Sequence, residues 1–265
     1  MVSEVSNSRS ILGMKVNVLT YRRVIKTCLA WSSARQSRYV AIATVNNVME
    51  SYDNPGFKEV MNQADLVTSD GMPLVFALRA LGAREARRVY GPDLTPLLLL
   101  AAEKAGVPVG LYGSSPEVVE RLKEVIAQRW PRLTLAYTFS PPFRPLTPAE
   151  DEEITASINN SGARILFVGL STPKQERWMA AHRGKVSAVM LGVGAAFDFL
   201  AGSKPQAPRW MMHSGLEWLF RLGTEPRRLA MRYIRHNPRF MWLFARQLMS
   251  VGRSDDEHRK GRAGS

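Results

Sequence analysis

Short, almost charge-free β-rich runs alternate with helical stretches from Tyr39 to Leu191, and this alternation constrains the chain more than any other feature. Tyr39–Ala43, the brief Leu66–Val67, Val107–Tyr112, Leu133–Tyr137, Ile165–Val168 and Val186–Leu191 read as strands. Pro116–Trp130, Pro148–Asn160 and Pro173–Arg183 read as helices. The first has proline in its opening turn; the second follows Thr147, with Glu150 three residues on, the spacing of a capping box. Strands free of charge and joined through helices need both faces covered. The expected fold class is therefore α/β, a mainly parallel sheet sandwiched by helices. Ser140–Pro145 is too rich in proline for either element and reads as a loop. Near Gly202–Pro208 the alternation stops, and the chain beyond is helical and rich in Trp, Met and Arg. The organisation expected is an α/β core over 1–202, a helical appendage over 203–250, and a polar, disordered tail over 251–265.

Cysteine and histidine usage narrows the chemistry. The single Cys28 excludes an intramolecular disulfide and a multi-cysteine metal site. His182, His213, His236 and His258 form no HxxH or HxxxH pair, so no zinc site is expected. The longest apolar run, Leu97–Ala102, is far short of the ~20 residues that span a bilayer, and Met1–Ser10 lacks the apolar stretch of a signal peptide. A cytoplasmic protein is expected.

Charge points to an anionic partner. Lys plus Arg number 36 against 23 Asp plus Glu, a net +13. Between Ser203 and Arg262 there are 13 basic and 5 acidic residues, a net +8, so most of the excess lies in the appendage. Arg228, Arg232, Arg235 and Arg239 are spaced 4, 3 and 4 apart and would share a helix face, with Trp and Met bulk just before them. Such a helix suits an anionic lipid surface or is an ordinary helix with a solvated face. Pro238 is expected to split the stripe, with Asn237 capping a second helix. Met241–Phe244 is too apolar for a plain amphipathic helix and must pack on protein or enter a membrane.

In open α/β sheets ligands bind beyond the carboxyl ends of the strands. Small and polar residues gather there: Thr44 and Asn46 after the first strand, Ser69–Gly71 after the second, Gly113–Ser115 after the third, Gly169–Ser171 before the helix carrying Lys174 and Gln175, and Gly192–Gly194 after the last. Gly113-Ser-Ser-Pro116 is either an anion site at a helix N-terminus or a plain turn with a serine cap. Asp70, in Ser-Asp-Gly-Met-Pro, is either a general base or a turn residue. Gly192-Val-Gly194 leaves Phe197 where a third glycine would complete a dinucleotide fingerprint.

Taken together, Thr44-Val-Asn46, Ala64–Pro73, Arg88–Asp93, Ser140–Arg144, Val168–Glu176, Gly192–Gly202, Ala207–Trp210, Gly215–Leu219 and Glu225–Leu229 form an ordered set that resembles the WecG/TagA/CpsF family of bacterial glycosyltransferases. The likeness runs from about residue 12 to about 240. It implies a Rossmann-like core and an inverting transfer of a hexose unit from a UDP-sugar to a polyprenyl-diphosphate-linked sugar, for exopolysaccharide, capsule or cell-wall polymer. It also implies peripheral association with the inner face of the cytoplasmic membrane through the appendage. By this resemblance Asp70 is the general base, Thr44 and Asn46 line the sugar pocket, Gln175 contacts substrate, and Arg221 and Arg228 stabilise the UDP leaving group. The nucleotide side is assigned to Gly113, Ser114, Gly194 and Asp198, the last toward uracil or ribose. The core has no Asp-x-Asp motif, so no metal and no cofactor beyond the co-substrate is expected. Met231 stands where the family often carries the first of an Arg pair.

Two other classes compete. The net charge suits a nucleic-acid-binding protein, but no such motif is present and the basic excess sits beside Trp and Met, so nucleic acid is not expected. A nucleotide-binding oxidoreductase is opposed by the incomplete glycine fingerprint.

Overall fold

The structure, a computed structural model, describes residues 7–214, 216–224 and 226–262, with side chains for all of these except 213, 226–230, 232 and 251–262. A hairpin of β1 (Ser8–Ile11) and β2 (Met14–Asn17) leads into α1 (Tyr21–Ser33) and β3 (Arg38–Ala43). There follow α2 (Val45–Asp53), α3 (Pro55–Asn62), β4 (Leu66–Ser69), α4 (Met72–Ala80) and α5 (Gly91–Ala105). Next come β5 (Val109–Gly113), α6 (Pro116–Arg129), β6 (Leu135–Phe139), α7 (Pro148–Asn160), β7 (Ile165–Gly169), α8 (Lys174–Ala181), β8 (Val189–Gly192) and α9 (Ala196–Leu200). The appendage is α10 (Arg209–His213), α11 (Glu217–Thr224) and α12 (Pro226–Arg262). The last helix thus extends into the stretch read from sequence as a tail.

β3 to β8 form one six-stranded sheet, ordered β4-β3-β8-β7-β5-β6, with every pairing parallel. Alternate residues of each strand feed two cores. Tyr39, Ala41 and Ala43 face one with α2, α3, α4, α7 and α8; Val40 and Ile42 face the other with α1, α5, α6 and α9. This is the Rossmann-like α/β sandwich expected. Every expected strand is present, but three start late for local reasons. Pro108 has no N–H to give a ladder, so β5 begins at Val109. Leu133 donates its N–H back to Trp130 O (3.0 Å), and Val186 donates to His182 O (3.0 Å), so both are held in the turns that close the preceding helices.

Strand order places a crevice. β5 sits beside β7, yet the chain leaves β5 outward toward β6 and leaves β7 inward toward β8. Their loops diverge, which is the geometry that opens ligand sites in parallel sheets.

The appendage corrects one expectation. α12 runs straight through Pro238 rather than restarting behind an Asn237 cap. An interior proline costs a helix about 3 kcal/mol. Phe240, Leu243 and Phe244 bury into the core just beyond it, each worth about 1.5–3 kcal/mol. Arg239 adds a bidentate pair with Asp53 (2.6 and 2.6 Å), and Gln247 bridges the β1–β2 turn through Leu12 N (2.8 Å) and Ser10 O (2.7 Å). Packing therefore outweighs the break. Met241–Phe244 divides accordingly: Leu243 and Phe244 pack on the core, while Met241 and Trp242 are exposed.

Candidate active site

The carboxyl edge of the sheet carries one continuous hollow. A central pocket of about 200 Å³ is lined by Thr44, Asn46, Asp70, Tyr90, Gly91, Gln175, Gly194 and Arg221, among others. Through Thr44, Asn46, Asp70 and Arg221 it joins a smaller pocket of about 110 Å³ against the appendage, lined also by Arg88, Met212, Glu217, Trp218 and Tyr233. Through Ser171, Gly194 and Ala195 it joins a cleft of about 430 Å³ at the β5/β7 crevice, lined by Ser114, Phe143, Lys174, Trp178, Asp198 and Lys204.

Asp70 directly follows β4 and is half-buried. Its Oδ1 accepts the Gly91 N–H at the start of α5 (2.7 Å), and among the described residues Oδ2 accepts no hydrogen bond. Gly71, not Asp70, is the N-cap residue of α4, so the carboxylate is not spent on capping that helix. Burial pushes the Asp70 pKa up to about 6, reinforced by Glu217 and opposed by Arg88, the Gly91 N–H and Arg221. A carboxyl group so tuned is ionised at neutral pH and is a far better proton acceptor than a solvated Asp.

Arg88, Tyr90 and Glu217 form a cluster beside it. Arg88 Nε donates to the Asp70 carbonyl, and Nη2 donates to Glu217 Oε2 (2.5 Å). Tyr90 Oη donates to Glu217 Oε1 (2.9 Å), and the Arg88 guanidinium lies 4.0 Å from the centre of the Tyr90 ring. Arg221 Nε is 3.6 Å from Glu217 Oε1 and its guanidinium covers Phe199 at 5.0 Å. Glu217 thus couples α11 to both arginines at the site. Sequence reasoning passed over Arg88, Tyr90 and Glu217 as site residues, although each lies inside a motif of the ordered set. Membership of those motifs was the one signal available, since the half-burial of Arg88 and Glu217 arises only when the appendage folds back.

Thr44, Asn46 and Gln175 do line the central pocket. Thr44 is the N-cap residue of α2, and its N and Oγ1 both donate to Asn47 Oδ1 (3.0 Å each). Gln175 is buried at the start of α8 with its amide against Gly192 and Gly194: a Cβ on Gly192 would lie 3.0 Å from Gln175 Nε2. Arg228 lies outside the residues whose side chains are described. Of the basic stripe, Arg239 is committed to Asp53 rather than to the hollow.

On the cleft side, the serine cap expected in Gly113–Pro116 is present. Ser115 caps α6 by accepting the Val118 N–H (3.4 Å), while Ser114, at φ 65°, lines the cleft. Gly113 is buried rather than on the cleft wall. Its φ of +117° and the 2.6 Å that would separate an added Cβ from the Gly169 backbone exclude any other residue. Asp198 lines the cleft in a 3.1 Å pair with Lys204. Among the described residues no group of three or more His, Cys, Asp or Glu is placed to hold a metal ion, and no helix is long and apolar enough to cross a membrane.

The chain resembles known proteins along most of its length. The model of the glycosyl transferase WecG/TagA/CpsF family matches residues 9–254. Among curated proteins, the chain is 28% identical over 250 residues to an N-acetylglucosaminyldiphosphoundecaprenol N-acetyl-beta-D-mannosaminyltransferase of Staphylococcus aureus strain NCTC 8325 / PS 47, covering 92% of this chain and 96% of that protein. The counterparts in strains COL and MSSA476 match to the same extent.

Proposed function

Because the chain belongs to the WecG/TagA/CpsF family and is a glycosyltransferase, we propose that it moves a hexose-type sugar from a UDP-sugar to a polyprenyl-diphosphate-linked sugar, with inversion, in synthesis of an exopolysaccharide or other cell-envelope polymer. The observation that carries the reading is Asp70, half-buried with its pKa pushed up to about 6, in one pocket with Thr44, Asn46, Gln175 and Arg221. In the proposed step the acceptor hydroxyl gives its proton to Asp70 and attacks C1 of the donor sugar. The new C–O bond forms as the bond from C1 to the diphosphate oxygen breaks, and the electron pair leaves on UDP. Arg221, joined by Arg228, offsets the charge that develops there; such stabilisation is usually the largest catalytic term. The cleft at the β5/β7 crevice, with Ser114, Gly194 and Asp198, takes the nucleotide, and Gly113 shapes its turn. The two arginines supply the positive charge a metal would otherwise bring, so the reaction is metal-independent.

The lipid-linked acceptor enters from the appendage side. Trp210, Trp218, Leu219, Met231, Ile234, Met241 and Trp242 are exposed there, and seven large apolar side chains on a basic segment suit the interface of an anionic membrane. The relatives' names make a UDP-N-acetylhexosamine the first donor to try, with a short-chain polyprenyl-diphosphate-N-acetylglucosamine as acceptor. The test is calorimetric UDP titration in EDTA followed by transfer assays. Saturable binding and transfer without metal are expected; absence of UDP binding with and without anionic vesicles would overturn the proposal, and activity restored only by Mg²⁺ or Mn²⁺ would overturn its metal-free part.

A further inference from the structure

One buried carboxylate at the site is not used by the mechanism above. Glu176, next to Gln175 in α8, is fully buried. Its Oε1 accepts three hydrogen bonds: from Thr172 Oγ1 (2.9 Å), Asn47 Nδ2 (3.1 Å) and Gln175 Nε2 (3.1 Å). Two of these donors lead directly to the pocket. Asn47 uses its Oδ1 to take both the N–H and the Oγ1–H of Thr44. Gln175, having committed Nε2 to Glu176, turns Oε1 over Gly194, 3.4 Å from where a Cβ would stand; that oxygen is buried and accepts no hydrogen bond among the described residues.

We propose that Glu176 is a positioning residue that fixes the amides of Gln175 and Asn47 so that Gln175 Oε1 and Thr44 Oγ1 face the pocket as hydrogen-bond acceptors. Amide groups are symmetric in shape and are oriented only by their partners. With one carboxylate oxygen serving both, the wall formed after β3 and the wall formed at α8 are set together. The chemical consequence is a selection rule. A buried acceptor without a partner costs about 1–3 kcal/mol until it is satisfied, so the part of the ligand that enters here must bring hydroxyl or amide N–H donors. A carboxylate at that place would meet acceptors only. The inference deepens the glycosyltransfer reading by naming a neutral, donor-bearing sugar for this pocket, and rests on that reading for the sugar alone.

The test has an arm that needs no substrate. In the side-chain amide ¹⁵N–¹H spectrum of the ligand-free wild-type protein, the Gln175 pair, identified by its absence in Gln175→Met, is expected to exchange slowly and show two distinct protons. In Glu176→Met, which fills the space without an acceptor, the pair is expected to exchange at least tenfold faster. A fast-exchanging wild-type pair would overturn the proposal whether or not any sugar is transferred. In the kinetic arm, Glu176→Met is expected to lose about 10–100-fold in kcat/KM, with UDP affinity within threefold of wild type. Glu176→Gln, which keeps an oxygen for Gln175, is expected to recover most of that loss. Unchanged kinetics in Glu176→Met, a parallel fall in UDP affinity and melting temperature, or no recovery in Glu176→Gln would overturn it. A wild-type preference for a UDP-hexuronate over the neutral UDP-hexose would overturn the selection rule. Absence of any UDP binding by wild type would instead sink the glycosyltransfer reading, leaving the spectral result to stand alone.

Discussion

The two walls of the site are built in different ways. The sheet wall, carrying Thr44, Asp70, Gly91, Gln175 and Gly194, lies at the ends of strands buried on both faces, where most backbone and side-chain groups are fixed by the two cores. The appendage wall, carrying Glu217, Trp218 and Arg221, is α11, a helix with no buried residue. Polar contacts from Glu217 to Arg88 and Tyr90, and Phe220 packed against the cluster of Tyr90, Ala207 and Met212, hold it, together with the continuation of the chain into the anchored half of α12. The proposed base is therefore set by the two cores, and the positive charge opposite it by a helix that buries none of its own residues. Changes on the sheet wall should alter chemistry at constant affinity, and changes on the appendage wall should alter closure at nearly constant stability.

The largest effect is expected at Asp70. Asp70→Asn should lower kcat by about 10²–10⁴-fold, the usual worth of a general base, while leaving UDP affinity within threefold. In the wild type, kcat/KM should rise with pH through an apparent pKa of about 6, because only the ionised carboxylate accepts the proton. Stability runs the other way. A carboxyl whose folded pKa lies above its unfolded value of 3.8 stabilises the fold most below that value, and the contribution is lost as pH climbs through about 6. Asp70→Asn, inactive, should thus melt no lower than wild type at pH 8. A flat pH–rate profile between pH 5 and 7 would remove Asp70 as base.

Glu217→Ala comes next and tests the appendage wall. It frees Arg88 and Arg221 and should cost about 10–100-fold in kcat/KM. Circular dichroism melting should show a drop of no more than a few degrees, since the two cores are untouched. A fold-wide collapse would erase the distinction between the walls. Phe240→Ala should do the reverse, costing about 3–5 kcal/mol of stability as a large side chain leaves the core, readable by urea unfolding, with activity retained under conditions where the variant remains folded.

The difference between the walls also decides what could be read from the sequence. The sheet was legible because its strands are nearly free of charge and its helices α6, α7 and α8 announce themselves with proline or threonine starts. Between Thr44 and Ala105 only one short strand was read: α4 and α5 are apolar on most faces and show no amphipathic period, whereas the short α2 and α3 are amphipathic behind Thr44 and Asn54 and were passed over. The polar cluster at the strand ends followed from topology alone, and the structure brings Thr44, Asn46, Asp70, Gln175, Gly194 and Arg221 into one pocket. Glu217 and Arg88 were not legible as partners: they are 129 residues apart, and no local pattern reports a pairing made only when the appendage folds back. The continuity of α12 through Pro238 was missed for the same reason, since the burial that outweighs the proline is tertiary.

The smallest effect on the fold sharpens the contrast within a single helix. Trp242 and Leu243 are neighbours on α12, yet Trp242 is 59% exposed with Arg246 4.8 Å above its ring, while Leu243 is 8% exposed in the core. A surface change away from packing, caps or buried polar groups usually shifts stability by no more than about 0.5 kcal/mol, so Trp242→Ala should leave the urea midpoint almost unmoved. If the exposed apolar residues meet a bilayer, removal of one tryptophan should still weaken co-sedimentation with anionic vesicles several-fold, because Trp supplies both apolar area and an interfacial N–H. Leu243→Ala should show the opposite pattern, a loss of about 2–5 kcal/mol with vesicle affinity unchanged for the folded fraction. Equal vesicle binding by wild type and Trp242→Ala would take Trp242 out of the contact and shift the membrane-facing role to α10 and α11, where Trp210, Trp218 and Leu219 are the next side chains to remove.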